Sequence, residues 1–195
     1  MATPHLKPAM QPSPLQILVG DPAMLSTTHL PSLQALAVQI QYNLQHQHHW
    51  TDLRVHTHSP ATNELLPRPL LSGLPPQRLY VHPDEQIELL KDAERRRRAS
   101  QKEGEDKGSL DVKADPEREW ILPTRLSEKW TLRRLNDVFS GITLVPPAAE
   151  TLSKEKDRLA NPWRTTKRLV LATVDSDSTV VYYIVHDGVV KPRQN

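Results

Sequence analysis

The chain contains no cysteine. That excludes a disulfide framework and thiolate metal centres, and it suits a reducing compartment such as cytosol or nucleus. No run approaches the ~18 consecutive apolar residues of a membrane-spanning helix. Pro4, Pro8, Pro12 and Pro14 interrupt the stretch where a signal peptide would need its apolar core. Glycine is scarce at 6 residues, phenylalanine occurs once and hydrophobic residues make up only 37%. So small an apolar share predicts that roughly two-thirds of the chain forms the packed unit. Neither sign of charge dominates. A formal net charge of +2 argues against nucleic-acid binding on charge alone. Neither a glycine-rich phosphate loop nor a Ser/His/Asp nucleophile elbow is present.

What is abundant is proline, 18 residues in 195. Residues 1–30 are rich in Pro, Thr and Gln and predict a disordered tail. One domain is expected over 31–195, with flexible insertions at about 59–77, 99–116 and 143–164. Within it, Leu33, Leu36, Ala37, Ile40 and Leu44 lie on one helical face, predicting a helix over 32–47 capped by Ser32. The alternation Leu53, Val55, Thr57 reads as a strand. Five prolines make 59–77 a loop, followed by a brief strand at 78–81. Pro83, Asp84 and Glu85 are first-turn residues of a helix over 83–98. Residues 120–123 read as extended. A helix over 127–140 points Trp130, Leu135, Val138 and Phe139 at a core, with Ser127 as its cap. Strands follow at 169–174 and 179–185, joined by Asp175-Ser176-Asp177-Ser178. Asp187-Gly188 then turns the chain into a third at Val189-Val190. The 179–185 strand is apolar at alternate and intervening positions, so cover on both faces is expected. These elements predict an α+β domain ending in an antiparallel β meander.

The stretch Asp175-Ser176-Asp177-Ser178-Thr179-Val180-Val181-Tyr182-Tyr183, with the Asp187-Gly188 turn, resembles the tail of the small structural subunit of the eukaryotic tRNA-splicing endonuclease, the Sen-fifteen family. Trp120-Ile121-Leu122-Pro123-Thr124-Arg125 and Trp130-Thr131-Leu132-Arg133-Arg134-Leu135 are similar to its fungal branch. Trp50-Thr51-Asp52-Leu53-Arg54-Val55 fits its opening helix–strand pair. The resemblance covers roughly residues 32–195. It implies a nuclease-like α+β fold, that of the tRNA-intron-endonuclease catalytic domain. It also implies a non-catalytic place beside a catalytic subunit in a heterotetramer that excises introns from precursor tRNA. Partners would be the catalytic and structural subunits, with precursor tRNA reached through the complex, no membrane insertion and no cofactor. The compartment implied is the nucleus or, as the alternative, the cytosolic face of the mitochondrial outer membrane.

Catalytic relatives use Tyr, His and Lys, with the histidine in a His-small-aromatic motif at a helix start. Tyrosine accepts the 2′-hydroxyl proton, histidine protonates the leaving oxygen and lysine steadies the phosphate. After position 60 this sequence has only His82 and His186, neither in such a motif. Lys167 and Arg168 stand where the family's lysine is found. They are candidates for RNA contact in the assembly, against a plain solvated strand start. No catalytic residue and no metal ligand is assigned. Two metal readings carry less weight than these: Asp84 with Asp111 and Lys113, and the His56/His58 pair. Arg95–Arg98 reads first as a solvated helix end favoured by the helix dipole, and second as an RNA or import contact.

The function expected is therefore assembly. Leu171, Val174, Val180, Tyr182, Tyr183, Ile184 and Val189 are the candidate interface residues, through sheet extension or face packing. Asp175 and Asp177 are candidates for an acidic loop offered to a basic pocket on a facing subunit, as the resemblance implies. The runner-up is a standalone RNA-binding or adaptor protein, which would need aromatics interleaved with basic residues on one sheet face.

Overall fold

The computed structural model describes residues 11–20, 28–102, 114–147 and 161–189. Their order is α1 (Pro14–Gly20), α2 (Pro31–His46), β1 (Thr51–His58), β2 (Leu65–Leu74), α3 (Pro83–Lys102), β3 (Glu119–Arg125), α4 (Leu132–Gly141), β4 (Arg168–Val174) and β5 (Val180–His186). The strands form one five-stranded mixed sheet in the order β1-β2-β3-β4-β5. Every neighbouring pair is antiparallel except β3 and β4. A parallel pair needs a long crossover, and α4 lies in it.

α2 covers one face of this α+β sheet and α4 the other. Leu36, Ala37, Ile40 and Leu44 of α2 pack with Trp50, Leu71, Ile121, Val170, Ala172 and Val174. On the α4 side Val138, Phe139 and Ile142 pack with Leu66, Leu70, Trp120, Leu122 and Leu169. Each large apolar side chain so buried contributes about 1.5–3 kcal/mol. The alternation of β3 and β4 between the two clusters is the period-2 rule of a strand buried on both sides.

Several boundaries differ from the sequence reading. The expected loop at 59–77 contains β2, which lies between two other strands. Its prolines are tolerated because of where the ladders break. The β1 register jumps from His56↔Leu70 to His58↔Leu65, and β3 pairs only with Leu71, Ser72 and Gly73. Pro67 and Pro69 fall in the gap, so neither is asked for a ladder N–H. Pro123 is accommodated similarly, since the β2 ladder ends at Ile121. Gly73 belongs there because a Cβ would stand 2.6 Å from Leu53 Cδ2.

Within the expected tail, residues 14–20 are helical, and the rest up to residue 27, apart from 11–13, lies outside the described residues. α1 starts with a capping box. Gln16 N–H donates to Ser13 Oγ (3.2 Å), Ser13 N–H donates to Gln16 Oε1 (2.8 Å), and Pro14 occupies the first turn. α2 begins one residue earlier than expected, with Pro31 in its first turn and no side-chain cap from Ser32. α4 begins at Leu132, capped by Thr131 Oγ1 accepting from Arg134 N–H, so Ser127 is not the cap. Residues 78–81 form no strand, and Val189 belongs to none. Val190 lies outside the described residues, as do most of 99–116 and of 143–164. Among the described residues β4 and β5 therefore make a hairpin, and the expected third strand falls largely outside them.

Candidate functional site

The ends of β3, β4 and β5 on the α2 side hold a dense group of buried charges. Glu119 precedes Trp120 on β3, opposite Arg168, the first residue of β4. Arg168 donates to both Glu119 oxygens from Nε (3.0 and 3.1 Å), and its Nη2 reaches Glu119 Oε1 and Glu117 Oε2, each at 2.5 Å. Arg164 adds Nη2 to Glu119 Oε2 at 3.0 Å and fixes the Leu144 and Arg118 carbonyls. Arg78 bridges Glu117 (3.1 Å) and Glu85 (2.9 Å), and Asn161 donates to Glu85. Arg164 and Arg168 are each 5% exposed and Glu119 is 2% exposed.

Three guanidiniums thus face three carboxylates, and their charges cancel. Burial works to raise the Glu117 carboxyl, but the Asn161 hydrogen bond and the nearby arginines overrule it and hold it below the usual range. Burial works to lower Arg168, yet its bonds to Glu119 and Glu117 hold it above its ordinary value. A carboxylate so paired is no general base, and a cation so paired has no charge left for a phosphate. This corrects the expectation for Arg168: it is neither a solvated strand start nor an exposed RNA contact.

Lys167 faces the other way, as strand alternation requires. Its Nζ donates to the Phe139 carbonyl at 2.8 Å, on the α4 side. Across the sheet, Tyr80 and His186 meet edge to face with ring centroids 4.7 Å apart, beneath the Arg168 guanidinium. They line a cavity of about 50 Å³ with His82, Trp163, Thr165 and Thr166. Tyr80 Oη and His186 Nδ1 are buried there with no hydrogen-bond partner. Burial, then Arg168 and Arg164, lower the His186 pKa. A tyrosine and a histidine are therefore adjacent, while the nearby lysine points to the opposite face of the sheet. The three side chains do not converge on one reacting phosphate.

The histidine pair read as a possible chelate is spent locally. His56 Nε2 shares a hydrogen bond with Ser72 Oγ at 2.8 Å, and His58 Nδ1 with Thr57 Oγ1 at 2.9 Å. Burial, then Arg118 and Arg54, push the His56 pKa down to about 4. Asp111 and Lys113 lie outside the described residues.

The candidate interface residues divide by face. Val180 and Tyr182 pack toward α2, and the Tyr182 hydroxyl donates to Asn43 Oδ1. Burial raises the Tyr182 pKa. Val174 is 3% exposed and belongs to the core, so it is not a surface residue. Leu171 is half-buried at the margin of the α4 cluster. Tyr183 is 56% exposed, Ile184 38% and Val189 96%. Among the described residues nothing fully covers Tyr183 and Ile184. Val181, 43% exposed, shares Tyr183's face; it was missed, though its position two residues before Tyr183 is the signal that would have found it.

β5 is an edge strand, paired with β4 in seven successive positions from Arg168↔His186 to Val174↔Val180 without a register break. Its other edge has no strand against it among the described residues. Asp175 and Asp177 sit exposed in the hairpin turn. Asp175 accepts from Ser176 N–H at 2.6 Å and Asp177 from Thr179 N–H at 2.8 Å. The Thr179 amide holds the Asp177 carboxyl below its usual range.

Comparison with known proteins supplies the context. The Sen15 protein family model matches residues 39–195. A Neurospora crassa protein named "Probable tRNA-splicing endonuclease subunit tsp-1" is 43% identical over 166 residues, covering 84% of this chain and 67% of its own length. The tRNA-splicing endonuclease subunit SEN15 of Eremothecium gossypii is 38% identical over 77 residues, 40% of this chain and 52% of that protein. The match runs through the sheet, α4 and the β4–β5 hairpin, and on this ground the chain belongs to the Sen15 family.

Proposed function

We propose that this chain is a non-catalytic structural subunit of a tRNA-splicing endonuclease that excises introns from precursor tRNA. In this reading the domain has the nuclease-like fold and pairs with a catalytic subunit through its C-terminal β-segment. The assembly is a heterotetramer with precursor tRNA as substrate, and the compartment is the nucleus. The names of its relatives support the process.

The observation that carries the pairing is the state of β5. It is a straight, unbulged edge with apolar side chains exposed on both sides, Val181 and Tyr183 on one and Ile184 on the other. A strand from a like-folded subunit would extend the sheet by main-chain hydrogen bonds, and these side chains would give it register. Val189 extends the apolar surface past the strand. Asp175 and Asp177, at the far end of the hairpin, offer negative charge to a basic pocket. The non-catalytic half of the reading rests on the divergence of Lys167 from Tyr80 and His186.

Replacing Tyr183 and Ile184 together by Lys tests it. Co-purification with a catalytic subunit is expected to weaken at least about tenfold, a loss of ~1.4 kcal/mol or more, while the melting temperature stays unchanged. Asp175→Lys with Asp177→Lys is expected to weaken assembly several-fold at low salt and little at high salt. Retained co-purification of the lysine pair removes β5 from the interface. Cleavage of precursor tRNA by the isolated chain would overturn the non-catalytic assignment.

A further inference from the structure

The structure weighs against the first reading of the four arginines of α3, a solvated helix end, and favours the second. Arg95, Arg96, Arg97 and Arg98 read as the end of a helix, where cations complement the dipole. α3 continues to Lys102, so the four stand a full turn before its end. The dipole effect fades within the last turn, and it does not account for them. Nor does packing. Neither core cluster takes a residue from α3, Ile87 and Leu90 are exposed, and the helix is held at its first turn by Glu85 on Arg78.

Charge pairing treats the four unequally. Arg95 is bonded to Asp92 at 2.8 Å and Arg98 to Glu94 at 2.6 Å. Arg96 and Arg97 are exposed and have no carboxylate partner among the described residues. At about 100° per residue, four successive positions sweep roughly 300° around the axis. The arginines therefore do not form one face suited to a flat acidic protein surface. They surround the helix with cations, the distribution that suits a helix lying between two phosphate strands. Guanidinium forks bind phosphate oxygens bidentately, and such contacts position a nucleic acid without reading its sequence.

We propose that the distal part of α3 is a phosphate-backbone contact for precursor tRNA, with Arg96 and Arg97 as its principal cations. The inference rests on the tRNA-splicing reading above. It moves the RNA contact away from Lys167 and Arg168, whose cations are committed within the fold.

The test uses the full chain and a labelled, intron-containing precursor tRNA transcript. Binding is followed by fluorescence anisotropy over a series of salt concentrations. Arg96→Gln with Arg97→Gln is expected to weaken binding about tenfold at low salt and to flatten the slope of log K against log salt by roughly 1.5, the loss of two phosphate contacts. Arg95→Gln with Arg98→Gln is expected to lose distinctly less, because those charges are already offset. Circular dichroism checks that both variants keep the helix. A wild-type chain that does not bind, an Arg96→Gln/Arg97→Gln variant that binds as wild type, or equal losses in the two variants would each overturn the proposal. So would unchanged RNA binding with failed nuclear accumulation, which would assign the arginines to a protein partner. Co-purification with the other subunits is read separately. If it persists while RNA binding is absent, only the α3 contact falls; if it is absent, the subunit reading falls.

Discussion

β1 and β5 both end the sheet, yet they offer different surfaces to a neighbouring strand. β1 carries two register breaks, between Thr51 and Arg54 and between His56 and His58, and Asp52 adopts a left-handed backbone at φ 48°. Polar contacts flank its one exposed apolar residue, Val55: Asp52 is ion-paired to Arg118 and to Arg54, and His56 is bonded to Ser72. Bulges and charges of this kind keep an edge from pairing with another chain. β5 has neither. Its ladder to β4 is unbroken and residues 180–185 carry no charge. The difference teaches that backbone irregularity blunts one edge locally, while the other keeps a regular ladder, the feature on which the proposed pairing rests.

The difference can be attacked from its foundation upward. The largest effect is expected at the strand that supports β5. Glu119→Gln removes a carboxylate faced by both Arg164 and Arg168 and leaves buried positive charge without compensation. Breaking a buried pair this way costs about 3–5 kcal/mol, measured by urea denaturation. A loss below about 1 kcal/mol, the size of an exposed pair, would mean that the charge cluster does not anchor β4. A smaller effect is expected on the opposite edge. Asp52→Val deletes the bonds to Arg118 and Arg54 and places a β-branched residue at a left-handed φ. It should lower stability by about 1–3 kcal/mol while co-purification with the partner is preserved. Loss of the partner by a folded Asp52→Val protein would move the interface to β1.

The smallest effect is a pH dependence in which His56 of β1 is the larger contributor. His56 has a folded pKa of about 4 against an ordinary 6.5. The folded state therefore holds it neutral, and the unfolded chain binds more protons between these values. Its contribution is fully present above pH 6.5, declines as pH falls, and is gone below about 4. Melting temperatures between pH 7 and 4 should fall less steeply in His56→Gln than in the wild type. Parallel curves would show that His56 does not titrate with unfolding. His186 shifts in the same sense and should leave a residual slope in the variant.

What could be read in advance follows the range of the interactions involved. α2, β4, β5 and most of α4 were legible because an apolar period of 3.6 or 2 is written in consecutive residues. β2 was hidden by Pro67 and Pro69, which weigh against a central strand until the two ladder gaps are known. The charge cluster was hidden for a different reason. Glu117 and Glu119 stand more than forty residues before Arg164 and Arg168, beside stretches whose composition reads as solvated linker. Tyr183 and Ile184 were picked out as apolar. That they are exposed while Val174 is buried depends on which strand has a neighbour.

By itself, the sequence determined the apolar periods, the absence of thiol chemistry and the tail that marks the family, because each is a local property of composition or spacing. The tertiary structure alone decided which strand edges have no neighbour among the described residues. It alone turned Lys167 away from Tyr80 and His186, and buried Arg168 among carboxylates while leaving Arg96 and Arg97 in solvent. Those outcomes depend on how residues distant in the chain are brought together, since the worth of a charge or an apolar side chain is set by what it meets after folding.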